Sequence, residues 1–93
     1  MELANQLKAS MSIGDITNQI LKAQGKPLHY RDIVKLVLEV KPLPGLDDGH
    51  QVARVLTELN MDNRFIHLGG GNWNLREKVP LRAIKQYEDE WEN

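Results

Sequence analysis

The chain contains no cysteine among its 93 residues, so neither a disulfide framework nor a thiolate metal site can form. Aromatic residues make up only 5% of it, and no apolar run approaches the roughly 18–20 residues that span a bilayer. The N-terminus has no long hydrophobic stretch behind a basic start, so the sequence predicts no signal peptide. These absences favour a cytoplasmic protein without a membrane segment.

The charge of the chain is balanced in total but unevenly distributed. There are 12 basic and 13 acidic residues, a formal charge of −1, and 41% of the residues are hydrophobic, as in an ordinary single globular domain. All 12 bases and 9 acids lie in residues 1–85, whereas the last eight residues carry four acids and no base. This mildly basic body does not by itself indicate a nucleic-acid binder.

The first predicted helix begins at Ser12. A serine at the N-cap accepts a hydrogen bond from a free backbone N–H of the first turn, and an acid three residues later, Asp15, completes the capping pattern. Gly25 and Pro27 end this helix, and the residues after the proline are predicted to be extended. Apolar residues recur at helical spacing at Ile13, Ile16, Ile20 and Leu21. Residues 1–11 form an N-terminal extension that could lengthen this stripe through Leu3, Leu7 and Met11.

Two more helices and a hairpin follow. The second helix is predicted from Tyr30 to Val40 and the third from Asp47 to Leu59, where the sequence at residues 48–51 resembles a capping box. Strands at residues 64–68 and 73–76 are joined by a glycine-rich turn at residues 69–72. The predicted inward-facing residues are Ile33, Leu36, Val37 and Val40 in the second helix, Val52, Val55, Leu56 and Leu59 in the third, and Phe65 and Trp73 in the hairpin.

This order of elements predicts a winged helix-turn-helix, mainly α with a small β-wing: three helices, a short strand between the first two, and an antiparallel hairpin. The winged domain is expected at residues 12–78. Residues 79–93 are expected to add a C-terminal amphipathic helix that opens at Pro80 and ends in an acidic tip. Its apolar stripe of Ile84, Tyr87 and Trp91 is interpreted as packing on the body or, alternatively, as docking on a partner or a second copy.

Four runs of residues carry a resemblance to a known family. They are Ile16–Ile20, Lys26–Ile33, Leu59–Ile66 and Trp73–Arg76, and the Leu-Asn-x-Asp-x-Arg-Phe run followed by Trp-x-Leu-Arg is the most specific. In these runs, over residues 12–78, the sequence resembles the HARE-HTH winged-helix family, whose best known member is the N-terminal domain of the bacterial RNA polymerase delta subunit. The resemblance implies a non-enzymatic transcription accessory protein that binds core RNA polymerase and modulates its interaction with nucleic acid.

The resemblance is incomplete at the C-terminus. Delta subunits carry a long, very acidic tail that competes with nucleic acid, whereas this sequence has only four acids before Asn93. Either it is a piece of a longer chain or it is a short relative, for which only the docking role would carry over.

Two other hypotheses stay open. One is a direct duplex-DNA-binding winged-helix regulator that uses the third helix and the wing. The third helix argues against it, because Arg54 stands against Asp47, Asp48 and Glu58, a net charge of −2, and phosphate contacts need cations. The other is an interaction module that dimerises weakly through its terminal helices.

The sequence shows no pattern of a catalytic, cofactor or metal site. His29, His50 and His67 match no metal-ligand spacing, and the glycines at 69–71 lack the lysine of a phosphate loop. The expected contacts are therefore those with a protein or nucleic-acid partner, although Arg64 could instead form an ion pair with Asp62 at the turn. The candidate contact residues are Lys26, Arg31, Lys35, Gln51, Arg54, Arg64, His67, Asn72, Arg76 and Lys78.

Overall fold

The computed structural model describes residues 9–83, which form three helices and a small antiparallel sheet. The helices are α1 (Ile13–Gln24), α2 (Tyr30–Val40) and α3 (Asp48–Met61), and the strands are β1 (Leu28–His29), β2 (Phe65–His67) and β3 (Asn72–Leu75). A 3-10 turn (Arg76–Lys78) follows, and residues 81–83 are helical. This is the predicted mainly α fold with a β-wing. The stripe of Ile84, Tyr87 and Trp91, together with Leu3 and Leu7, lies outside the described residues.

Local hydrogen bonds explain where α1 begins and ends. The Ser12 hydroxyl accepts from the Asp15 N–H at 3.0 Å, as the capping pattern predicts. At the other end Gly25 has φ +70° and donates its N–H to the Leu21 carbonyl, a left-handed C-cap that glycine adopts without strain.

The third helix differs from its prediction at both ends. Its N-cap is Asp47, whose carboxylate accepts from the His50 N–H at 2.8 Å, so the helix itself starts at Asp48. It also continues past Leu59 to Met61, because the chain turns only at Asp62, whose N–H bonds to the Leu59 carbonyl. The cap therefore lies one residue before the predicted capping box, and the helix ends two residues later than predicted.

The sheet has the order β1-β3-β2, with β3 in the centre. Leu28 pairs with Trp73 on one side and Phe65 pairs with Leu75 on the other. Both hairpin strands differ from their predicted bounds, since β2 omits residues 64 and 68 and β3 covers Asn72–Leu75. Arg76 still donates its N–H to the Arg64 carbonyl at 2.8 Å, but the chain there already enters the 3-10 turn.

The core lies between the three helices and one face of the sheet. Phe65 and Trp73, predicted as anchors, are buried, and so is Val34, which the helical pattern of α2 did not single out. Leu36 and Val40 pack against the core but stay half-buried. The fully buried aliphatic side chains are Ile16, Ile20, Leu21, Ile33, Val37, Val55, Leu59 and Leu75. No helix within the described part of the chain is long and apolar enough to cross a membrane.

Candidate partner-binding surface

The candidate contact residues lie on four separate parts of the molecule. Gln51 and Arg54 are on α3. A second group surrounds the hairpin tip and α2, and a third lies at the hairpin base, where Arg76 bonds to Arg64. The second group comprises Arg31, Lys35, His67 and Asn72, and the third Arg64, Arg76 and Lys78; Lys26 lies in the loop between α1 and β1. The structure therefore does not gather all ten into one patch.

The two candidate contact residues of α3, Gln51 and Arg54, form hydrogen bonds within the molecule. Gln51 is half-buried and its side-chain amide donates to the Leu43 carbonyl at 3.2 Å. Arg54 donates from Nε to Glu58 Oε1 at 3.3 Å, an exposed i,i+4 pair. A helix that reads base edges needs such groups directed at the groove and cations for the phosphates. With Asp47 and Asp48 at its start, α3 offers a single arginine, Arg54, which is paired with Glu58.

Arg64 joins the beginning of β2 to the beginning of α1. Its Nη2 lies 2.7 Å from Asp62 Oδ2 and its Nε 3.0 Å from Asp62 Oδ1, and Nη1 donates to Asp15 Oδ1 at 3.0 Å. Hydrogen bonds from Arg64 hold the pKa of Asp62 below its usual value, and the two carboxylates raise the pKa of Arg64. The predicted Arg64–Asp62 pair is confirmed. The second partner, Asp15, is not predicted by the sequence, because it is 49 residues away and its position in the first turn of α1 already accounts for an acidic residue there.

The wing tip is attached to α2 through Gly71. Its carbonyl accepts from the Tyr30 N–H at 2.8 Å, and its N–H donates to His67 Nε2 at 3.2 Å. The His67 ring, half-buried, lies 5.2 Å from the Trp73 ring, and burial lowers the pKa of His67. His67 thus supports the turn from inside, whereas Asn72 is exposed at the tip.

The outer face of α2 carries two exposed cations, Arg31 and Lys35, one helical turn apart. The helix begins with His29 as its N-cap, whose Nδ1 accepts from the Arg31 N–H at 3.2 Å. The Arg31 guanidinium lies 5.9 Å from the centre of the Tyr30 ring. Exposed Asp32 adjoins these cations, so their field is partly offset.

An open groove of about 600 Å³ lies between α1 and the segment that follows β3. We call it the basic groove, because Lys22, Arg64 and Arg76 line it together with apolar Leu75, Val79 and Leu81. Arg76 Nε donates to the Asn63 carbonyl at 3.1 Å, which holds this side chain in place. Sequence reasoning singled out Arg64 and Arg76 but not the groove, since its walls meet only in the folded chain. Near Leu81 the sequence indicates only a helix start at Pro80 and the basic Lys78 and Arg82, none of which predicts a groove.

Lys41, the C-cap of α2, has an internal role. Its Nζ donates to the carbonyls of Ala9 and Met11, both at 2.9 Å, and so attaches the segment before α1 to the end of α2. Among residues 9–83 no three His, Asp or Glu side chains are grouped so that they could hold a metal ion.

Comparison with known proteins agrees with this architecture. The HARE-HTH family model, described as a helix-turn-helix domain of ASXL proteins and restriction endonucleases among others, matches residues 11–77. A probable DNA-directed RNA polymerase subunit delta of Halalkalibacterium halodurans is 28% identical over 85 residues, 91% of this chain and 52% of the relative. The corresponding protein of Oceanobacillus iheyensis is 30% identical over 76 residues, 82% of this chain and 44% of the relative.

A third relative, the probable delta subunit of Listeria monocytogenes, is 28% identical over 87 residues, covering 90% of this chain and 47% of that protein. The chain thus spans about half the length of the curated relatives it matches. Its match to the family model extends from the segment before α1 into the 3-10 turn, and so includes α1 to α3 and β1 to β3. The chain therefore belongs to the HARE-HTH family of winged-helix domains.

Proposed function

We propose that this chain is a non-enzymatic transcription accessory protein that binds core RNA polymerase in the cytoplasm and modulates its interaction with nucleic acid. The similarity to proteins named RNA polymerase subunit delta supports the partner. The observation that favours a protein partner over DNA is the internal hydrogen bonding and the acidic charge of α3. Gln51 and Arg54 are hydrogen-bonded within the molecule and residues 47–61 carry a net charge of −2, so the usual recognition helix is poorly suited to a duplex.

The surface that remains for a partner is the hairpin base with its basic groove, together with the exposed cations of α2. Lys22 and Arg76 line this groove, and Lys78 follows in the 3-10 turn. Electrostatic complementarity of this kind orients an encounter and excludes wrong partners more than it adds affinity. The chain would act by surface complementarity alone, as a monomer or weak dimer.

A fluorescence-anisotropy titration of the labelled chain with core RNA polymerase and, in parallel, with a mixed-sequence duplex tests this proposal. Saturable binding to polymerase is expected, with weak binding to the duplex at near-physiological salt. Lys22→Glu is expected to weaken polymerase binding, whereas Arg54→Glu, a matched exposed cation on α3, should leave it unchanged. Binding to the duplex alone would contradict the proposal.

The second candidate function is direct duplex-DNA binding, which the winged-helix fold itself favours. Exposed Arg31 and Lys35 on α2 could flank a phosphate backbone near the wing. This function predicts an affinity for duplex that falls steeply with salt and is lost in Arg54→Glu. A duplex affinity that is unchanged by Arg54→Glu would argue against α3 as the recognition helix.

A further inference from the structure

One side of the hairpin is buried although it points away from the helical core. Side chains alternate across a strand, so Ile66 and its cross-strand partner Asn74 lie on the side opposite to Phe65 and Leu75. Phe65 and Leu75 belong to the core cluster, whereas Ile66 does not. Ile66 is nevertheless only 4% exposed, and Asn74 only 9%. Residues outside the core cluster therefore cover this side of the sheet, which we call the outer face of the wing.

This cover lies at the base of the wing and not at its tip. Asn72 is on the same face as Asn74, two residues nearer the tip along β3, and it is exposed. The chain leaves the base of β3 through the 3-10 turn, and Val79 and Ala83 beyond that turn are half-buried. The part of the chain that follows β3 is therefore the nearest source of the cover along the sequence.

The turn after Pro80 already has the phase of an amphipathic helix. The Ala83 N–H donates to the Pro80 carbonyl at 2.9 Å, and residues 81–83 are helical. Ala83 is half-buried while Leu81 is 85% exposed, so one side of this turn faces the protein. Residues 84–93, which we call the C-terminal segment, lie outside the described residues. At 3.6 residues per turn, a helix that continues in this phase would carry the apolar stripe of that segment on the side of Ala83.

The N-terminal extension is the alternative cover, because it also contains apolar residues, Leu3 and Leu7. Its attachment argues against it. Lys41 Nζ holds the carbonyls of Ala9 and Met11 at the end of α2, and Met11 packs against the core cluster. The extension therefore joins α1 on the inner side of the sheet, whereas the C-terminal segment continues from the base of the wing itself.

We propose that the C-terminal segment docks on the outer face of the wing of its own chain, with Ile84, Tyr87 and Trp91 packed over Ile66. A helix of ten residues is about 15 Å long, enough to cross two strands that lie about 5 Å apart. Burial of this apolar stripe supplies the stabilisation. The inference does not depend on the proposed function. It closes the outer face at the base of the wing to any partner and leaves the exposed tip open.

The absence of cysteine allows a single spin label to be attached to the full chain. Asp89→Cys, opposite the stripe on the expected helix, carries the label, and amide NMR spectra are recorded with the label oxidised and reduced. We expect the amide signals of Ile66 and Asn74 to lose most of their intensity beside the oxidised label, while that of Lys35 on α2 keeps its intensity. Unchanged signals of Ile66 and Asn74, or a loss confined to the helices, would overturn the proposal.

A mixed sample separates docking within one chain from docking between copies. It combines the spin-labelled chain without isotope and the isotope-labelled chain without a spin label, so that only contacts between copies reduce the signals. We expect no loss at Ile66 in this mixture. A loss there as large as in the singly prepared chain would identify a second copy as the occupant and overturn docking within the chain.

Substitutions in the spin-labelled chain complete the test. Tyr87→Ser removes an apolar side chain of the stripe and should restore most of the signal intensity at Ile66 and Asn74. Gln86→Ser, the matched control on the polar side of the expected helix, should leave the signal loss unchanged, and so should Leu7→Ser in the N-terminal extension. Equal effects of Tyr87→Ser and Gln86→Ser would contradict packing through the stripe. Recovery of the signals in Leu7→Ser alone would assign the cover to the N-terminal extension and refute the proposal.

Discussion

At the scale of single residues, Arg64 shows how a cation in a candidate contact surface is used inside the fold. Its guanidinium holds the carboxylates of Asp62 and Asp15, and these join the turn before β2 to the first turn of α1. Gly14 lies directly beneath this pair, since a Cβ at that position would be 2.5 Å from Asp62 Oδ2 and 2.8 Å from Arg64 Nη2. The Asp-x-Arg part of the family-like run is therefore explained by packing.

Replacing Arg64 by glutamine should destabilise the protein by about 1–2 kcal/mol, because a bidentate pair and a second carboxylate lose their partner together. The control is Arg54→Gln, which breaks only the exposed pair with Glu58 and should cost less than about 0.5 kcal/mol. Urea denaturation of both variants measures the difference. Equal losses would show that the Arg64 network contributes no more than an ordinary surface pair.

A side chain at Gly71 would be unfavourable for two reasons, the positive φ of the backbone and the close approach of neighbouring side chains. Its φ is +82°, and a Cβ there would be 2.7 Å from His29 Nε2 and 3.0 Å from Tyr30 Cδ1. Gly69 has a similar φ of +88° but nothing within 4 Å of its Cβ position. Gly69→Ala should therefore cost about 1 kcal/mol of backbone strain, and Gly71→Ala about 2 kcal/mol or more, in thermal or urea unfolding. The difference between the two stability losses measures the contact between the wing and α2. Equal losses in the two variants would contradict that contact.

His67 makes the stability of the wing depend on pH. Burial lowers its pKa below the ordinary value of 6.5, so the unfolded chain binds the proton more tightly than the folded one. Stability is therefore fully present above about pH 6.5 and falls as the pH drops through that value, until His67 is protonated in the folded state as well. Protonation would also remove Nε2 as the acceptor for the Gly71 N–H.

Urea midpoints measured between about pH 7.5 and 5 should thus decrease toward the acidic side. In His67→Gln that part of the decrease should disappear, because glutamine does not titrate, although stability at the upper end of the range is expected to fall as well. A pH profile that is unchanged in His67→Gln would assign the dependence to other groups.

At the scale of elements, the hydroxyl of Ser12 is the cap on which the start of α1 depends. Ser12→Ala should cost about 1 kcal/mol, since the Asp15 N–H loses its acceptor at the end of a helix that carries much of the core. Ser10→Ala, at an exposed position in the turn before the helix, is the control and should be nearly neutral. Chemical denaturation of the two variants is the measurement, and similar losses would mean that capping is not the cause.

Local sequence patterns predicted most helices and strands. The features that they did not predict depend on contacts between residues far apart in the chain. The bounds of α2 follow from a strong apolar period after Pro27, and the cap of α1 from Ser12. At the start of α3 the sequence predicted a capping box from Asp48, whereas the N-cap is the adjacent Asp47, a shift of one residue that a local pattern with two neighbouring aspartates does not resolve. Of the surface, sequence found the Arg64–Asp62 pair, two residues apart. It could not find Asp15 as a partner or the groove between α1 and Leu81, because these need the tertiary fold.

At the scale of the whole molecule, charge is separated between α3 and the hairpin base. Residues 47–61 carry a net charge of −2, whereas residues 62–82 carry four bases and two acids, a net charge of +2. A molecule arranged in this way has one part that attracts anionic partners and one that repels them. The acids at the start of α3 lie on the element that other winged helices present to DNA.

The affinity for duplex DNA should accordingly be weak, and it should decrease only slightly as the salt concentration rises. We expect the slope of log affinity against log salt to correspond to about two released counterions or fewer, because few cations can reach phosphates together. Anisotropy titrations of a mixed-sequence duplex across a range of salt give this slope. A slope of about four or more, reduced in Arg54→Glu, would favour the duplex-binding hypothesis.

The order of the sheet has a consequence for how copies of this protein meet at high concentration. The outer strands are β1, of two residues, and β2, of three, while the longer β3 is enclosed between them. Unpaired backbone groups on an outer strand are templates for a neighbouring chain, and very short outer strands offer few of them. Edge-to-edge growth into extended cross-β assemblies is therefore poorly supported by this sheet, even though its hairpin turn is made of glycines.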